Sequence, residues 1–265
     1  MGTSGAAILV IGCVALAGEK GSVPTIRYVG SSTIAHFIRD AEPVYGDAQF
    51  VLDTEPESAG GEIAILEGRA DLAGVAGIPQ PETLEQGVEA TVIGQDAIAV
   101  VVNRANPIVD LGRSQLKDIF TGKARNWKEL GGPDLTVHPY IVSAASATRK
   151  VFRSAILREA DYDGCEVVRP DTGMLARIEA EPGAIGQISF SFLGSTATVK
   201  ALRVEGQEPV STNPSYPITR PLYLLWWPGR ARIASFISWT STAEARALLL
   251  ERFALAPEGE PKESR

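Results

Sequence analysis

Short hydroxyl side chains recur in this sequence at one kind of place, just after a strand-like run and just before a helix-like one. Ser31, Ser32 and Thr33 follow Gly30; Ser58 and Ala59 precede Gly60-Gly61; Ser146, Ala147 and Thr148 open a long helical stretch; Thr172-Gly173 opens the next. The first N–H groups of a helix have no intrahelical acceptor and carry a partial positive charge. A serine or threonine there adds a hydroxyl donor, and glycine lets a ligand approach the main chain closely. Several such ends gathered together make a neutral cage of donors for one small tetrahedral anion. Each residue alone reads more readily as an ordinary N-cap than as a ligand contact; four such places in one chain, two beside glycine, bring the ligand reading level with the cap reading.

Other chemistry finds little support. The cysteines, Cys13 and Cys165, and the histidines, His36 and His138, stand apart from one another, so neither a metal site nor another cofactor is expected. No nucleophile is paired with a base and no carboxylate pair has a supporting context, which argues against an enzyme. The formal net charge of −7 argues against nucleic acid as a partner. With that charge an anion binder must rely on local dipoles. Arg149 reads as part of a solvated helix face and His36, beside Phe37, as a packing residue. Trp127, Trp226, Trp227, Asp71 and Asp96 read as structural, and residues 55–57 as a solvated loop face. Cys165, before an apolar strand, reads as a buried free thiol.

The elements that must position the hydroxyls alternate strand and helix, which predicts an α/β chain with a mostly parallel sheet. Strands are expected at 25–29, 50–53, 71–75, 90–93, 97–103, 135–142, 166–169, 185–189, 199–204 and 221–226. Helices are expected at 33–41, 60–67, 114–120, 147–158 and 173–179, with two more closing the chain. Ser241 with Glu244 three residues on reads as a capping box for the last helix. The run 97–103 is almost wholly apolar and so is expected to be buried on both faces. At 265 residues the chain is long enough for two cores.

The N-terminal run 6–17 is too short to span a bilayer and suits a signal-peptide core, although residues 1–5 carry no Lys or Arg. Two processing readings stay open. Val10-Ile11-Gly12-Cys13 reads as a lipobox, with Cys13 as the lipidated residue, and Ala15-Leu16-Ala17 as a cleavage site. Both imply export, to the periplasm or another extracytoplasmic space. Residues 257–265 are polar and expected to form a disordered tail.

Several blocks in consistent order, between about residues 25 and 255, resemble the phosphate-binding proteins of bacterial ABC importers, the PstS-like group within the periplasmic-binding-protein folds. They are Gly30 to Thr33, Ser58 to Gly61, Gly68 to Ala73, Ile98 to Asn103 with Asn106-Pro107, Leu116 to Gly132, Pro182 to Gly186, and Tyr216 to Tyr223. The block Leu116 to Gly132 is the most specific.

The resemblance implies a type II fold of two α/β lobes with a ligand cleft between them. Residues 25–100 with 215–256 would form lobe one, and 101–214 lobe two, after a leader at 1–24. It implies capture of an oxyanion, phosphate above all, by lobe closure, without catalysis and as a monomer, with permease and ATPase partners on separate chains. Its anion contacts fall on the first loop (Ser31, Ser32, Thr33), on Ser58 or Ala59, and on Ser146, Ala147 and Thr148. Two charged contacts have no counterpart in line: Val142 stands where the family has an arginine, and Ala76 near where it has a carboxylate. A non-transport sensor or an altered binding module is therefore the alternative function.

Overall fold

The computed structural model describes residues 23–158, 160–194 and 198–256. The expected leader with Cys13 and the expected polar tail at 257–265 lie outside the described residues.

The first lobe is built from strand–helix units: β1 (Thr25–Gly30), α1 (Ser32–Tyr45), β2 (Gln49–Asp53), α2 (Glu57–Leu66), β3 (Leu72–Val75) and α3 (Pro81–Glu85). A long strand, β4 (Glu89–Asn103), then carries the chain into the second lobe. That lobe holds β5 (Asp110–Leu111), α4 (Arg113–Phe120), β6 (His138–Val142), α5 (Ala147–Phe152), β7 (Glu166–Val168), α6 (Met174–Ala180), β8 (Ala184–Ser189) and β9 (Val199–Val204). The chain returns through β10 (Thr219–Trp226) and ends in α7 (Ala231–Trp239) and α8 (Ala243–Leu250).

The strands run in the order β2-β1-β3-β10-β4-β8-β6-β7, with β9 on β4 and β5 on β9. β1 is parallel to β2 and β3, and β6 is parallel to β7 and β8. β10 runs antiparallel between β3 and β4. β4 changes partner midway: up to Ala97 it pairs with β10, and from Ile98 onward with β8 and β9. The segment Ile98–Val102 is fully buried, as expected of a strand covered on both faces.

Each lobe has its own apolar core. Tyr28, Ile34, Phe37, Ile38, Leu224 and Phe236 pack together in the first. Phe120, Trp127, Ile141, Phe152, Ile185 and Leu202 pack together in the second.

Three local expectations are corrected. The strands expected at 90–93 and 97–103 are one strand. Gly94-Gln95-Asp96 reads as a break, but each residue has a partner within the sheet. Gln95 and Ala254 exchange main-chain hydrogen bonds of 2.8 and 2.9 Å, and a Cβ at position 94 would lie 2.8 Å from the Ala254 carbonyl oxygen. The helix expected at 147–158 is α-helical only to Phe152; Arg153–Leu157 widens into a π-helix and Arg158 (φ 49°) ends it in the left-handed region. The cap of α8 is Thr242, whose hydroxyl accepts from the Ala245 N–H at 3.3 Å, whereas Ser241 belongs to the turn that ends α7.

Candidate functional site

The first hydroxyl loop is set by a close approach of two strands. Gly30 ends β1 at φ +138°, and a Cβ there would come within 2.4 Å of the Gly74 carbonyl oxygen of β3. The Gly74 carbonyl accepts from the Ser31 N–H at 2.9 Å, and the buried Tyr28 hydroxyl donates to the Ser31 carbonyl at 2.7 Å. The loop is thereby fixed from below. Ser31 occupies the N-cap position of α1 without a side-chain capping bond, and Ser32 and Thr33 form the buried first turn.

The second loop runs into the first turn of its helix. Ser58 belongs to α2, and its Oγ accepts from the Ala76 N–H at 3.2 Å. The Ala59 N–H donates to the Ala145 carbonyl at 3.2 Å, a main-chain bond across the lobes. The third loop presents Ser146 at the N-cap of α5, again with no side-chain cap bond, followed by Ala147 and buried Thr148. Ala147 packs against the first lobe's core. Thr172-Gly173 does not open an α-helix; it sits in a 3-10 turn, Asp171–Gly173, before α6.

The structure thus brings all three hydroxyl loops to one side of the β4–β10 crossing. A cavity of about 480 Å³ opens beside the second and third of them, lined by Ser58, Ala59, Ser146, Ala147, Lys150 and Arg220 among others, and none of Ser31, Ser32 and Thr33 lines it.

Three side chains that the sequence reading did not assign to the site complete the arrangement. Arg220 on β10 lies directly opposite Asp96 on β4, and the pair is 1% and 0% exposed. The guanidinium donates through Nε and Nη2 to Asp96 at 3.0 and 2.9 Å. Its remaining bonds go to Thr33 Oγ1 at 3.0 Å, Thr148 Oγ1 at 2.9 Å and the Ala76 carbonyl at 3.3 Å. A guanidinium has five N–H donors, so these five bonds use all of them. Because Thr33 and Thr148 accept from Arg220, their own hydroxyl protons remain to donate into the cleft. Asp96 also accepts from the Ser189 hydroxyl at 2.9 Å, which ties β8 to the crossing.

The other two side chains are acids. Glu57, expected on a solvated face, is buried and held at φ +54°, a left-handed conformation costly for a residue with a Cβ. It accepts from the Ser32 hydroxyl at 3.3 Å. Asp171 accepts from the Ser146 hydroxyl at 2.5 Å. Burial, with the charge of Asp171 adding to it, pushes the Glu57 carboxyl up to about 8. Burial also raises the Asp171 carboxyl, against the opposing effects of Ser146 and Arg220.

These placements correct the apparent loss of charge. Val142 and Ala76 are core residues and carry no polar role in their side chains. A guanidinium nevertheless reaches the Ala76 carbonyl from β10, and carboxylates arrive from α2 and from the turn before α6. For Arg220 the signal was present: Ile218, Arg220, Leu222 and Leu224 are the inward positions of an alternating strand.

The residues read as structural behave so. The His36 ring lies 4.2 Å from that of Phe192, and Trp127 donates to the Gly183 carbonyl at 2.9 Å. The Arg149 guanidinium sits 5.1 Å from the Tyr162 ring centroid, so it is stacked rather than fully solvated. Cys165 is half-buried and donates to the Phe120 and Asp163 carbonyls, and burial pushes its thiol up to about 12. Among the described residues no group of three or more His, Cys, Asp or Glu is placed to hold a metal ion, and no helix is long and apolar enough to cross a membrane.

Two lobes with the crossing-strand order seen here, and helix N-termini near one another at the crossing, give the cleft-bearing two-lobed architecture of the periplasmic-binding-protein class. The family profile described as a PBP superfamily domain matches residues 16–244, and the chain belongs to that family.

Over 217 residues the chain is 29% identical to the phosphate-binding protein PstS of Bacillus subtilis (strain 168), which spans 76% of this chain and 69% of that protein. It is 36% identical over 114 residues to phosphate-binding protein PstS 2 of Streptococcus agalactiae, 42% of this chain and 39% of that protein. A phosphate ABC transporter substrate-binding protein from Clostridium perfringens, solved with bound phosphate, superposes with a TM-score of 0.82 at 24% identity, covering 88% of this chain and 100% of its own. An ABC-type phosphate transport receptor from Vibrio cholerae gives 0.70 at 25% identity, with the same coverage of both chains.

Proposed function

We propose that this protein is the substrate-binding component of an ABC-type phosphate importer, working outside the cytoplasmic membrane and handing its anion to separate permease and ATPase chains. One observation carries the reading. Thr33 from the first lobe and Thr148 from the second accept hydrogen bonds from the same buried guanidinium, at 3.0 and 2.9 Å, so both hydroxyls are set to donate to one ligand. Ser31, Ser32, Ser58, Ala59, Ser146 and Ala147 belong to the loops around that point; the Ser31, Ala59 and Ser146 N–H groups are held by the Gly74, Ala145 and Ser143 carbonyls, which leaves the Ser31 and Ser58 hydroxyls to donate beside the two threonines. Dipoles and hydroxyls of this kind hold a small anion without a countercharge in contact with it.

In this reading the protein binds and releases its ligand unchanged, as a monomer, and the lobes close about the β4–β10 crossing. The relatives' phosphate-binding descriptions support phosphate as the anion. Of the features that favoured a sensor or an altered module, the absent acid loses its force with Glu57 and Asp171 placed near the cleft, and Arg220 acts by setting Thr33 and Thr148 rather than by touching the anion. Calorimetry on the chain with phosphate, arsenate, sulfate and molybdate tests the proposal. Phosphate should bind with the highest affinity, and failure of all four to bind at millimolar concentration would falsify the oxyanion reading.

A further inference from the structure

A second cavity, of about 690 Å³, opens on the second lobe next to the cleft. Arg149, Lys150, Arg153, Ser154, Asp161 and Tyr162 line it. It shares Ala144, Lys150 and Ser154 with the cleft cavity, so the two adjoin. Its cations come from the helical stretch that the third hydroxyl loop opens, where Arg149 and Arg153, and Lys150 and Ser154, stand four residues apart and share a face. Like charges at that spacing repel along a helix.

Two of these cations are unmatched. Arg153 lies 3.0 Å from Asp161, and its Nε donates to the Ala160 carbonyl at 3.0 Å. Among the described residues no carboxylate lies within ion-pair distance of Arg149 or Lys150, and neither side chain donates a hydrogen bond to another described residue. Arg149 is nevertheless held in place. Its guanidinium carbon sits 5.1 Å from the Tyr162 ring centroid, and the Tyr162 hydroxyl donates to the Arg149 carbonyl at 3.1 Å. That hydroxyl accepts from Nε2 of the buried Gln187 on β8 at 3.2 Å, which anchors the ring. A guanidinium stacked by its face keeps its N–H groups along its edge, where an oxyanion meets them.

The hydroxyl cage offers an incoming anion no such charge. Arg220 is matched by Asp96 with its five N–H groups taken, and Glu57 and Asp171 stand beside the cage serines. Glu62, the acid lining the cleft cavity, accepts from the Gln80 N–H at 2.8 Å and the Thr83 hydroxyl at 2.9 Å. The whole chain carries a formal charge of −7. Of the cations lining the two cavities, Arg149 and Lys150 are therefore the pair whose charge no carboxylate matches.

Resting on the oxyanion reading, we propose that this basin is a second anion site, an outer station where a small oxyanion is held by Arg149, Lys150 and the Ser154 hydroxyl before it passes along α5 to Thr148. Its donors recognise charge alone, so phosphate, arsenate and sulfate all belong to its ligand class. Its effect falls on the rate of capture, because a positive field beside a cleft raises association and salt screens that field. Cations also suit this end of α5 through the helix dipole, so association rather than stability is the quantity to measure.

The test is stopped-flow mixing of the full chain with phosphate, read by intrinsic tryptophan fluorescence, with dissociation constants from calorimetry. At low ionic strength, Arg149→Gln combined with Lys150→Gln should slow association about tenfold and leave dissociation within about twofold of the wild type. The difference should close in about 0.5 M sodium chloride. Lys150→Gln alone leaves the Tyr162 stack intact; it should slow association about threefold, and it decides the matter if the double variant fails to fold. In the wild type, sulfate should slow association more than chloride at equal ionic strength, and in the double variant the two salts should act alike. Unchanged association in the variants, faster dissociation in place of slower association, or a sulfate effect that survives in the double variant overturns the outer site and leaves the phosphate reading standing. Binding of no phosphate by the wild type at millimolar concentration overturns the phosphate reading, and the outer site with it.

Discussion

Two arginine–aspartate pairs sit on the first lobe's sheet, one on its outer surface, where the guanidinium spans both carboxylate oxygens, and one at the cleft, where it meets Asp96 Oδ2 alone. Arg27 holds Asp71 through Nε and Nη2, both at 3.0 Å, and Arg220 holds Asp96 through the same two nitrogens at 3.0 and 2.9 Å. Half of the Arg27 side chain is in solvent, 52%, against 1% for Arg220. The outer pair is hydrated and has a further arginine in attendance, Arg230 at 2.9 Å from Asp71. The inner pair has given up its water, a loss that its mutual attraction and extra hydrogen bonds must offset. Its remaining bonds go to Thr33 and the Ala76 carbonyl of the first lobe and to Thr148 of the second. The same ion pair is surface decoration in one place and the frame of a binding site in the other, and the difference lies in what the spare N–H groups touch.

Removing the inner guanidinium is the most severe way to break this comparison. Arg220→Met leaves Asp96 charged, buried and without its partner, a change that typically costs about 3–5 kcal/mol. Chemical denaturation should show a loss of that order, and calorimetry should show no phosphate binding. Replacing both partners, as in Arg220→Met with Asp96→Leu, should recover much of the stability and none of the binding. Recovery of binding in that double variant would show that the guanidinium does not set the hydroxyls.

The next largest effect separates the hydroxyls from the pair that orients them. Thr148→Val and Thr33→Val keep the shape of the side chain and delete the donor. A hydrogen bond to a charged group contributes about 1.5–3 kcal/mol, so each change should weaken phosphate about tenfold to a hundredfold. Melting temperatures should move far less than in Arg220→Met. Equal effects at the two positions would confirm that the lobes share the ligand evenly. Loss at one alone would place the anion within a single lobe.

How far these parts could be read from the sequence depends on whether the signal is local. Alternation of strand and helix, and the hydroxyl pairs at their junctions, are local, and they place Thr33 and Thr148 without a structure. Arg220 sits on a period-two strand whose other inward residues are apolar, so its burial was legible while its partners were not. Asp171 meets Ser146 across 25 residues of chain, and no pattern near either residue announces the contact. Glu57 lies among Glu55 and Pro56 and reads as solvated; only the left-handed backbone at φ +54° turns it inward. The break read at Gly94-Gln95-Asp96 failed for the same reason, because Ala254 and Arg220 satisfy it from the far end of the chain.

A histidine at the lobe contact gives a smaller effect that depends on pH. His36 on α1 packs against Phe192 of the second lobe with the rings tilted by 50°, and burial, with Arg252 and Arg39 nearby, lowers its pKa to about 4 while Asp40 opposes. A histidine whose folded pKa lies below its unfolded value resists the proton in the native state. Stability should therefore fall as pH drops from the unfolded histidine range towards about 4. Thermal melts across that window should show the decline, and His36→Phe should flatten part of it. A decline of equal steepness in the variant would assign it to other groups.

The smallest effect belongs to the outer pair. Arg27→Gln removes a half-exposed guanidinium, yet Asp71 keeps Arg230 at 2.9 Å and the Arg27 main-chain N–H at 3.0 Å. Water replaces the lost N–H groups at no burial cost, which is why exposed pairs contribute so little. Phosphate affinity and the neutral-pH melting temperature should both match the wild type. The residual signature lies in acid. Arg27 holds the Asp71 carboxyl below its usual range, so the pair's contribution is present above the unfolded carboxylate pKa and is lost as pH falls through the folded one. Arg27→Gln should shrink that acid-limb loss and change nothing else. A drop in phosphate affinity would instead mean that the outer pair transmits to the cleft through β1 and Gly30, and the contrast between the two pairs would fail.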